Sequence, residues 1–562
     1  MYNRWKIQET FQKNNGEISP ETIIQTILHN RGIFNSAISD FLDPPDPNTF
    51  TPVQVEIDQN VLQKAITRIQ KAIESKESVI VYADYDADGV SAGSIMWETL
   101  HTLGANVMPY IPHRVEEGYG LSVKGIDAVK SKYNPSLIIT VDHGITAREK
   151  VSYAQKQNIE VIVTDHHVKP LLLPNCLIVH TTKMCGAGVA WFVAKELLKI
   201  ADQLTPEFSD ELLVLACIGT IADMVPLIDV NRAIARYGLQ KLNKTSRVGL
   251  KALIKESGLM MGSIEAYSIS HVIAPRLNAM GRLDHALDAL RLLCTKQEKK
   301  ALTLSQKLGE INRERQDLTS ETARNAKSIL EKQIQKSGSS KLIFVADDLF
   351  NQGVIGLVAG KLVETYYRPA IVVARGEFVS KASARSIHGF NIIEFIRSCS
   401  DLLVDMGGHP MAAGFTVETS KLKLLQNRLE QAIEDKLSQS LLERILIVDA
   451  EIPLMVITRQ FWDSIQVFAP FGIGNYIPVF ASKNVNITDK RLLGAEGKHL
   501  KLKVNDEDSL HKNQIFDVVG FNLGHLYSKI SLHKPVDIAY AVDLNQWNGY
   551  TNLQLKLKDI II

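Results

Sequence analysis

The 562 residues carry 63 Lys and Arg against 62 Asp and Glu, a formal net charge of +1, so any nucleic-acid surface is a local patch on a balanced chain. Hydrophobic content of 45% and charged content of 22% exclude a disordered chain, and no apolar run reaches the roughly 18 residues of a membrane span. At roughly 150 residues per domain, the length predicts three or four domains.

Residues 1–60 form an N-terminal segment whose opening, MYNRWKIQETF, lacks the apolar core of a secretory signal. Cys176, Cys185, Cys217, Cys294 and Cys399 are odd in number and lack zinc-type pairing, which predicts reduced, packed thiols and a cytoplasmic location. From 61 to 296 the short apolar runs SVIVYA, NVMPYIP, SLIITV, IEVIVT and CLIVH alternate with amphipathic stretches. That pattern predicts an α/β fold with a buried parallel sheet. Ligands of such sheets collect beyond the carboxyl ends of the strands. Here those ends read DYDADG, DHG and DHH.

The first of these resembles the start of a calcium loop, which needs a bidentate Glu at its twelfth position. Counted from Asp84, that position is Ile95. A strand precedes the acids where a calcium loop requires a helix. Together with Asp142, Asp165–His166–His167 and Asp223, the acids Asp84, Asp86 and Asp88 supply hard oxygen and imidazole ligands suited to manganese or magnesium, enough for two ions. A single Asp after a strand is equally a helix cap, a reading that does not extend comfortably to all of them at once.

Residues 297–336 are rich in helix formers, without proline and with one glycine, and predict a long connecting helix. A second α/β unit occupies 337–443, with KLIFVADD, GVIGLVAGKLVE and AIVVA as its first elements. From 444 to 562 the chain changes to alternating strands. HLKLKV puts Leu500, Leu502 and Val504 on one face and His499, Lys501 and Lys503 on the other, as in a small β-barrel.

The motifs DYDADG, TVDHG, TDHH and ADMVPL, in this order, resemble those of the DHH phosphoesterase superfamily. The likeness continues through YIPHRVEEGYGL, APRLNAMGRL, INRERQ, SARS, GGHPMAAG and FAPFGIGN, which are similar to the single-strand-specific exonucleases of that superfamily. Ala83 stands where the family usually has glycine. The resemblance implies a DHH domain, a DHHA1-like substrate-binding domain and an OB-like barrel. It implies two divalent ions, Mn2+ or Mg2+, held by Asp86, Asp88, Asp142, His166 and Asp223, with Asp88 or Asp142 as the bridge and Asp84 and Asp165 orienting the ligands. His167 is implied near the scissile phosphate, either as general acid or as an oriented supporting group. Arg114, Arg276, Asn278, Arg282, Ser383, Arg385, Gly407, Gly408 and His409 are the implied substrate binders. Within the barrel, His499, Lys501, Lys503 and Trp547 are candidates for nucleic-acid contact, although alternating lysines also describe a solvated strand face.

The expected activity is 5′-to-3′ exonuclease action on single-stranded DNA in recombination and repair, by a monomer without membrane attachment, working beside a helicase and a single-strand-binding protein. A DHH phosphodiesterase of short RNA or cyclic dinucleotides is the nearest alternative. A non-catalytic replication scaffold is the other, and the complete ligand set speaks against it.

Overall fold

A computed structural model describes residues 2–11, 19–114, 116–201, 205–338, 340–506, 514–547 and 550–562, apart from the side chains of Ser337, Gln546 and Trp547. The chain forms two compact units. The first comprises Ser39–Asp317 and Pro470–Tyr476; the second comprises Met1–Ile38, Leu318–Ala469 and Ile477–Ile562. The N-terminal segment is thus divided between them, and its strand β1 (Arg4–Ile7) belongs to the second.

The first unit is built on a parallel sheet of β2 (Ser78–Ala83), β3 (Asn106–Tyr110), β4 (Leu137–Val141), β5 (Glu160–Asp165) and β6 (Leu177–His180), in the order β3-β2-β4-β5-β6. All five expected apolar runs become these strands. Side chains alternate between two cores. Val79, Val81 and Ala83 face the helices Ala87–Thr102, Gly186–Ile200 and Pro206–Ala222, whereas Ile80 and Tyr82 face Val123–Tyr133 and Arg148–Lys156. The register pairs Ala83 with Val141 and Val141 with Thr164. Asp84, Asp142 and Asp165 therefore end adjacent strands at one edge.

Two further features fix that edge. Arg247, 9% exposed, binds Glu98 through both terminal nitrogens at 2.9 and 2.5 Å and Glu211 through Nε at 2.9 Å. One buried guanidinium thus ties the helix that begins beside Asp86 to the helix that ends at Asp223. The late turn 470–476 returns to the same place, where the Leu227 amide donates to the Ile473 carbonyl at 2.7 Å.

The helix Glu298–Ser337 matches the expected connection, and the division between the units falls within it at Asp317/Leu318. The second unit holds a mixed sheet of β7 (Ile343–Asp347), β8 (Ala370–Ala374), β9 (Val379–Arg385), β10 (Leu403–His409) and β11 (Ala412–Glu418), ordered β10-β11-β9-β8-β7. Only β7 and β8 are parallel; the remaining pairs are antiparallel. β12 (Ile445–Val448) pairs in parallel with β1. β13 (Ala450–Glu451), β14 (Phe480–Leu493), β15 (His499–Asp506), β16 (Phe516–Gly520), β17 (Pro535–Trp547) and β18 (Tyr550–Ile561) form a sheet closed by a β14–β17 pairing. Leu500, Leu502 and Val504 are buried within it, as their alternation predicts.

Candidate metal centre

Asp84 directly follows β2, and its Oδ1 accepts from the Tyr85 amide at 2.7 Å. Asp86 caps the next helix, accepting from the Asp88 and Gly89 amides at 3.0 Å each. The capping reading thus holds for Asp86. It does not hold for Asp88, which is 1% exposed and lies inside the first turn. Its oxygens instead accept from the Gly186 and Ala187 amides at 2.7 and 2.9 Å, so a second helix N-terminus stabilises its charge.

Asp142 follows β4 in the left-handed region, at φ +67, which Asp tolerates better than most residues. Its Oδ1 is buried without a hydrogen-bond partner. His166 Nε2 stands 3.1 Å from that oxygen, 3.8 Å from Asp223 Oδ2 and 4.0 Å from Asp88 Oδ2. Asp165 directs the turn. Its Oδ1 accepts from the His166 amide at 2.7 Å, the His167 amide at 3.1 Å and His167 Nδ1 at 2.8 Å, and its Oδ2 accepts from the Ile145 amide at 2.8 Å.

Ligand atoms converge in three overlapping groups, each within 4.8 Å: Asp142–His166–His167, Asp88–His166–Asp223 and Asp84–Asp86–Asp142. Burial, then the neighbouring carboxylates, push Asp84 and Asp142 well above the usual carboxylate range and Asp86 above it, and raise Asp223 to about 9. Asp165 is also buried, but its hydrogen bonds to His167 and the amides outweigh burial and hold it low. Burial lowers His167, yet its bond to Asp165 raises it more. Four close carboxylates held above their usual range, with one buried oxygen among them that has no hydrogen-bond partner, form an environment that a cation stabilises.

A Cβ at Gly186 would stand 2.3 Å from Asp142 Oδ1, and one at Gly219 would stand 2.4 Å from Asp88 Oδ1. The Asp142 carboxylate occupies the space at Gly186, and the Asp88 carboxylate together with Ala187 Cβ, also at 2.4 Å, occupies it at Gly219. The donor set of carboxylates and one imidazole fits manganese or magnesium.

The expected substrate residues fall into three settings. In the first unit, Arg114 lies over the Tyr85 ring at 4.9 Å, and Arg282 and Arg114 both act on the Tyr85 hydroxyl electrostatically. Arg276 donates to Glu256 and to the Val272 carbonyl, both at 2.9 Å. Asn278 Oδ1 accepts from the Ala87 amide at 2.8 Å, bracing the DYDADG turn. In the second unit, strand register makes two rows across β9, β11 and β10: Ser383–Gly414–Gly407 and Arg385–Ala412–His409, with Gly408 between them. Arg385 Nη1 donates to Ser383 Oγ at 3.1 Å. In the barrel, Lys501 is paired with Asp517 at 2.7 Å, His499 Nδ1 accepts from the Asn522 amide at 3.0 Å, and Lys503 is exposed. The Trp547 side chain lies outside the described residues.

Sequence reasoning did not single out Gly186, Gly219 or Tyr119, whose hydroxyl is 3.4 Å from His167 Nε2. Tyr119 sits in the quoted EGYG stretch and Gly186 opens GAG, so the signals were present without a stated role.

Strand-end acids and a histidine gathered at one edge of a parallel sheet are the arrangement of a DHH-type phosphoesterase. Residues 78–220 match the DHH family N-terminal domain, 338–435 the DHHA1 domain and 448–559 the RecJ OB domain. The single-stranded-DNA-specific exonuclease RecJ of Bacillus subtilis is 36% identical over 100% of this chain and 71% of its own length. That of Thermus thermophilus is 32% identical over 89% and 71%. The crystal structure of Thermus thermophilus RecJ with Mn2+ superposes with a TM-score of 0.79 at 28% identity, covering 99% of this chain and 79% of that one; the Mg2+ complex gives 0.76 at 27%, covering 100% and 78%. The chain belongs to the RecJ family of single-stranded-DNA-specific exonucleases. Among the described residues, no helix is long and apolar enough to cross a membrane.

Proposed function

We propose that this chain is a metal-dependent exonuclease that removes 5′-mononucleotides from the 5′ end of single-stranded DNA, in recombination and repair. The observation that carries the reading is the convergence of Asp86, Asp88, Asp142, His166 and Asp223 in overlapping ligand groups, with Asp142 Oδ1 buried without a hydrogen-bond partner among them. These residues would hold two divalent ions, Asp88 and Asp142 being the candidates to be shared between them. Bound there, Mn2+ or Mg2+ acidifies a water and neutralises charge on the phosphoryl group.

The chain's own groups do the rest. Asp88 and Asp142 stay fixed because helix amides and strand ends hold them. Asp165 binds His167 Nδ1 and so turns Nε2 outward. As the P–O3′ bond breaks, His167 passes a proton from Nε2 to the leaving 3′ oxygen. In the second unit Arg385, with Ser383 and His409, binds the terminal 5′-phosphate, which offers a charge and free oxygens that no internal phosphodiester has; in the first unit Arg114 is a further phosphate donor. Arg276, Asn278 and Arg282 support the strand or the turn beside it.

The barrel residues His499, Lys503 and Trp547 contact more distant nucleotides, with Lys501 held by Asp517. The protein acts as a monomer in the cytoplasm, beside a helicase and a single-strand-binding protein; its free cysteines suit that compartment. The test is to offer 5′- and 3′-labelled single-stranded DNA and RNA with Mn2+ or Mg2+. Immediate release of the 5′ label as a mononucleotide from DNA is expected, and release of the 3′ label first overturns the polarity.

A further inference from the structure

The loop between β3 and the helix Val123–Tyr133 reaches from the end of β3 to His167, near the end of β5. Tyr119 presents its hydroxyl 3.4 Å from His167 Nε2 and packs its ring edge-on to Tyr85 at 6.1 Å. Arg114 covers the same Tyr85 ring. Yet Tyr119 is 54% exposed and lies between Gly118 and Gly120, at φ +85 and +67, a backbone with little stiffness of its own. Something else must fix it.

The fixed point is Glu117. Its Oε1 accepts from the His113 amide at 2.8 Å, and its Oε2 accepts from the Tyr110 hydroxyl at 2.6 Å. Its own amide donates to the His113 carbonyl at 2.9 Å. Tyr110 is the last residue of β3 and packs on Tyr82 of β2 at 4.9 Å, so the carboxylate ties the loop to the sheet. Both oxygens are engaged within the loop's own base, which leaves Glu117 no direct part in bond breaking.

We infer that Glu117 is a positioning residue for the nuclease reaction: its bonds to Tyr110 and His113 hold the β3–helix loop so that Tyr119 meets His167 and Arg114 lies over Tyr85. The inference rests on the exonuclease reading for its substrate, a 5′-phosphorylated single-stranded oligonucleotide. Wild-type turnover of that oligonucleotide, measured first, tests the exonuclease reading by itself.

The test of Glu117 compares E117A, E117Q, Y119F and E117A/Y119F by kcat and KM, by Mn2+ affinity from calorimetry, and by melting temperature. E117A should lose roughly a hundredfold in kcat/KM, the scale of an ångström-level misplacement, with kcat falling more than KM rises. Mn2+ affinity should stay within about twofold, since a hydrogen-bonded loop is lost and no ligand is removed. Y119F should lose roughly tenfold, and the double variant should be no worse than E117A. E117Q should recover most of the loss, because its carbonyl still accepts from His113 and its amide donates to the Tyr110 oxygen. Three results would overturn the inference: E117A within threefold of wild type, losses that multiply in the double variant, or Mn2+ affinity falling in step with activity. If E117A does not fold, Y110F, which removes the 2.6 Å bond alone, gives the same comparison in the Y119F background.

Discussion

Gly186→Ala places a methyl group where the Asp142 carboxylate stands. The new Cβ would lie 2.3 Å from Oδ1, 2.4 Å from Cβ and 2.5 Å from Cγ of Asp142, against a closest approach of 3.0 Å. Oδ1 must therefore retreat by 0.7 Å (3.0 − 2.3), or the helix must move and break the amide bonds to Asp88. Metal–oxygen distances tolerate only about 0.2 Å. Mn2+ affinity should accordingly fall by about 10–100-fold, and turnover by roughly a hundredfold at Mn2+ levels that saturate the wild type. Overpacking should also cost the metal-free protein about 1–3 kcal/mol. Calorimetric Mn2+ titration and release of a 5′ label give the two readouts. Gly360→Ala is the control, since its Cβ meets nothing within 4 Å on an α-helix, and stability should hold or rise by about 0.4–1 kcal/mol. Wild-type Mn2+ affinity and turnover in Gly186→Ala, at an unchanged melting temperature, would refute Asp142 as a ligand.

Arg385→Ala should raise KM for 5′-phosphorylated DNA by roughly 10–100-fold, the worth of a charged hydrogen bond at about 1.5–3 kcal/mol, and narrow the preference over 5′-hydroxyl ends; equal losses on both ends would move the polarity elsewhere. Arg247→Met leaves Glu98 and Glu211 buried without their cation, so urea unfolding should show a loss of about 3–5 kcal/mol; an unchanged midpoint would show that the guanidinium does not tie the two helices. Burial and mutual repulsion raise Asp84, Asp86 and Asp142, and Asp223 to about 9, so the folded metal-free chain retains protons that the unfolded chain releases above about pH 4. Its stability therefore falls as pH rises from about 4 toward 9, and Mn2+ should raise the melting temperature more at pH 8 than at pH 6; equal increments would show that these acids ionise freely without metal.

The acids at the ends of β2, β4 and β5 were legible in the sequence because each closes an unbroken apolar run, and a parallel sheet gathers such ends at one edge. The roles of Gly186 and Glu117 were not, because each depends on a partner brought near by folding: Asp142 for the glycine, the Tyr110 hydroxyl for the carboxylate. The mixed direction of the second sheet was equally hidden, since apolar content does not distinguish β9 and β11 from parallel strands. Lys501 read as an outward cation on an alternating strand, and only the neighbouring strand reveals Asp517 beside it. The alternation that buries Leu500 and Val504 was fully visible.

The bond between Leu227 and Ile473 has a consequence for biosynthesis. Asp223 leaves the ribosome with its strand-end partners already made, but the turn that braces its segment is still unmade. At ~5–20 residues per second, the interval lasts roughly a quarter of a minute to most of a minute. A nascent chain thus carries the acids of a nuclease before it carries the brace that steadies them, and a message broken between these two points yields a product with the chemistry encoded and its support missing.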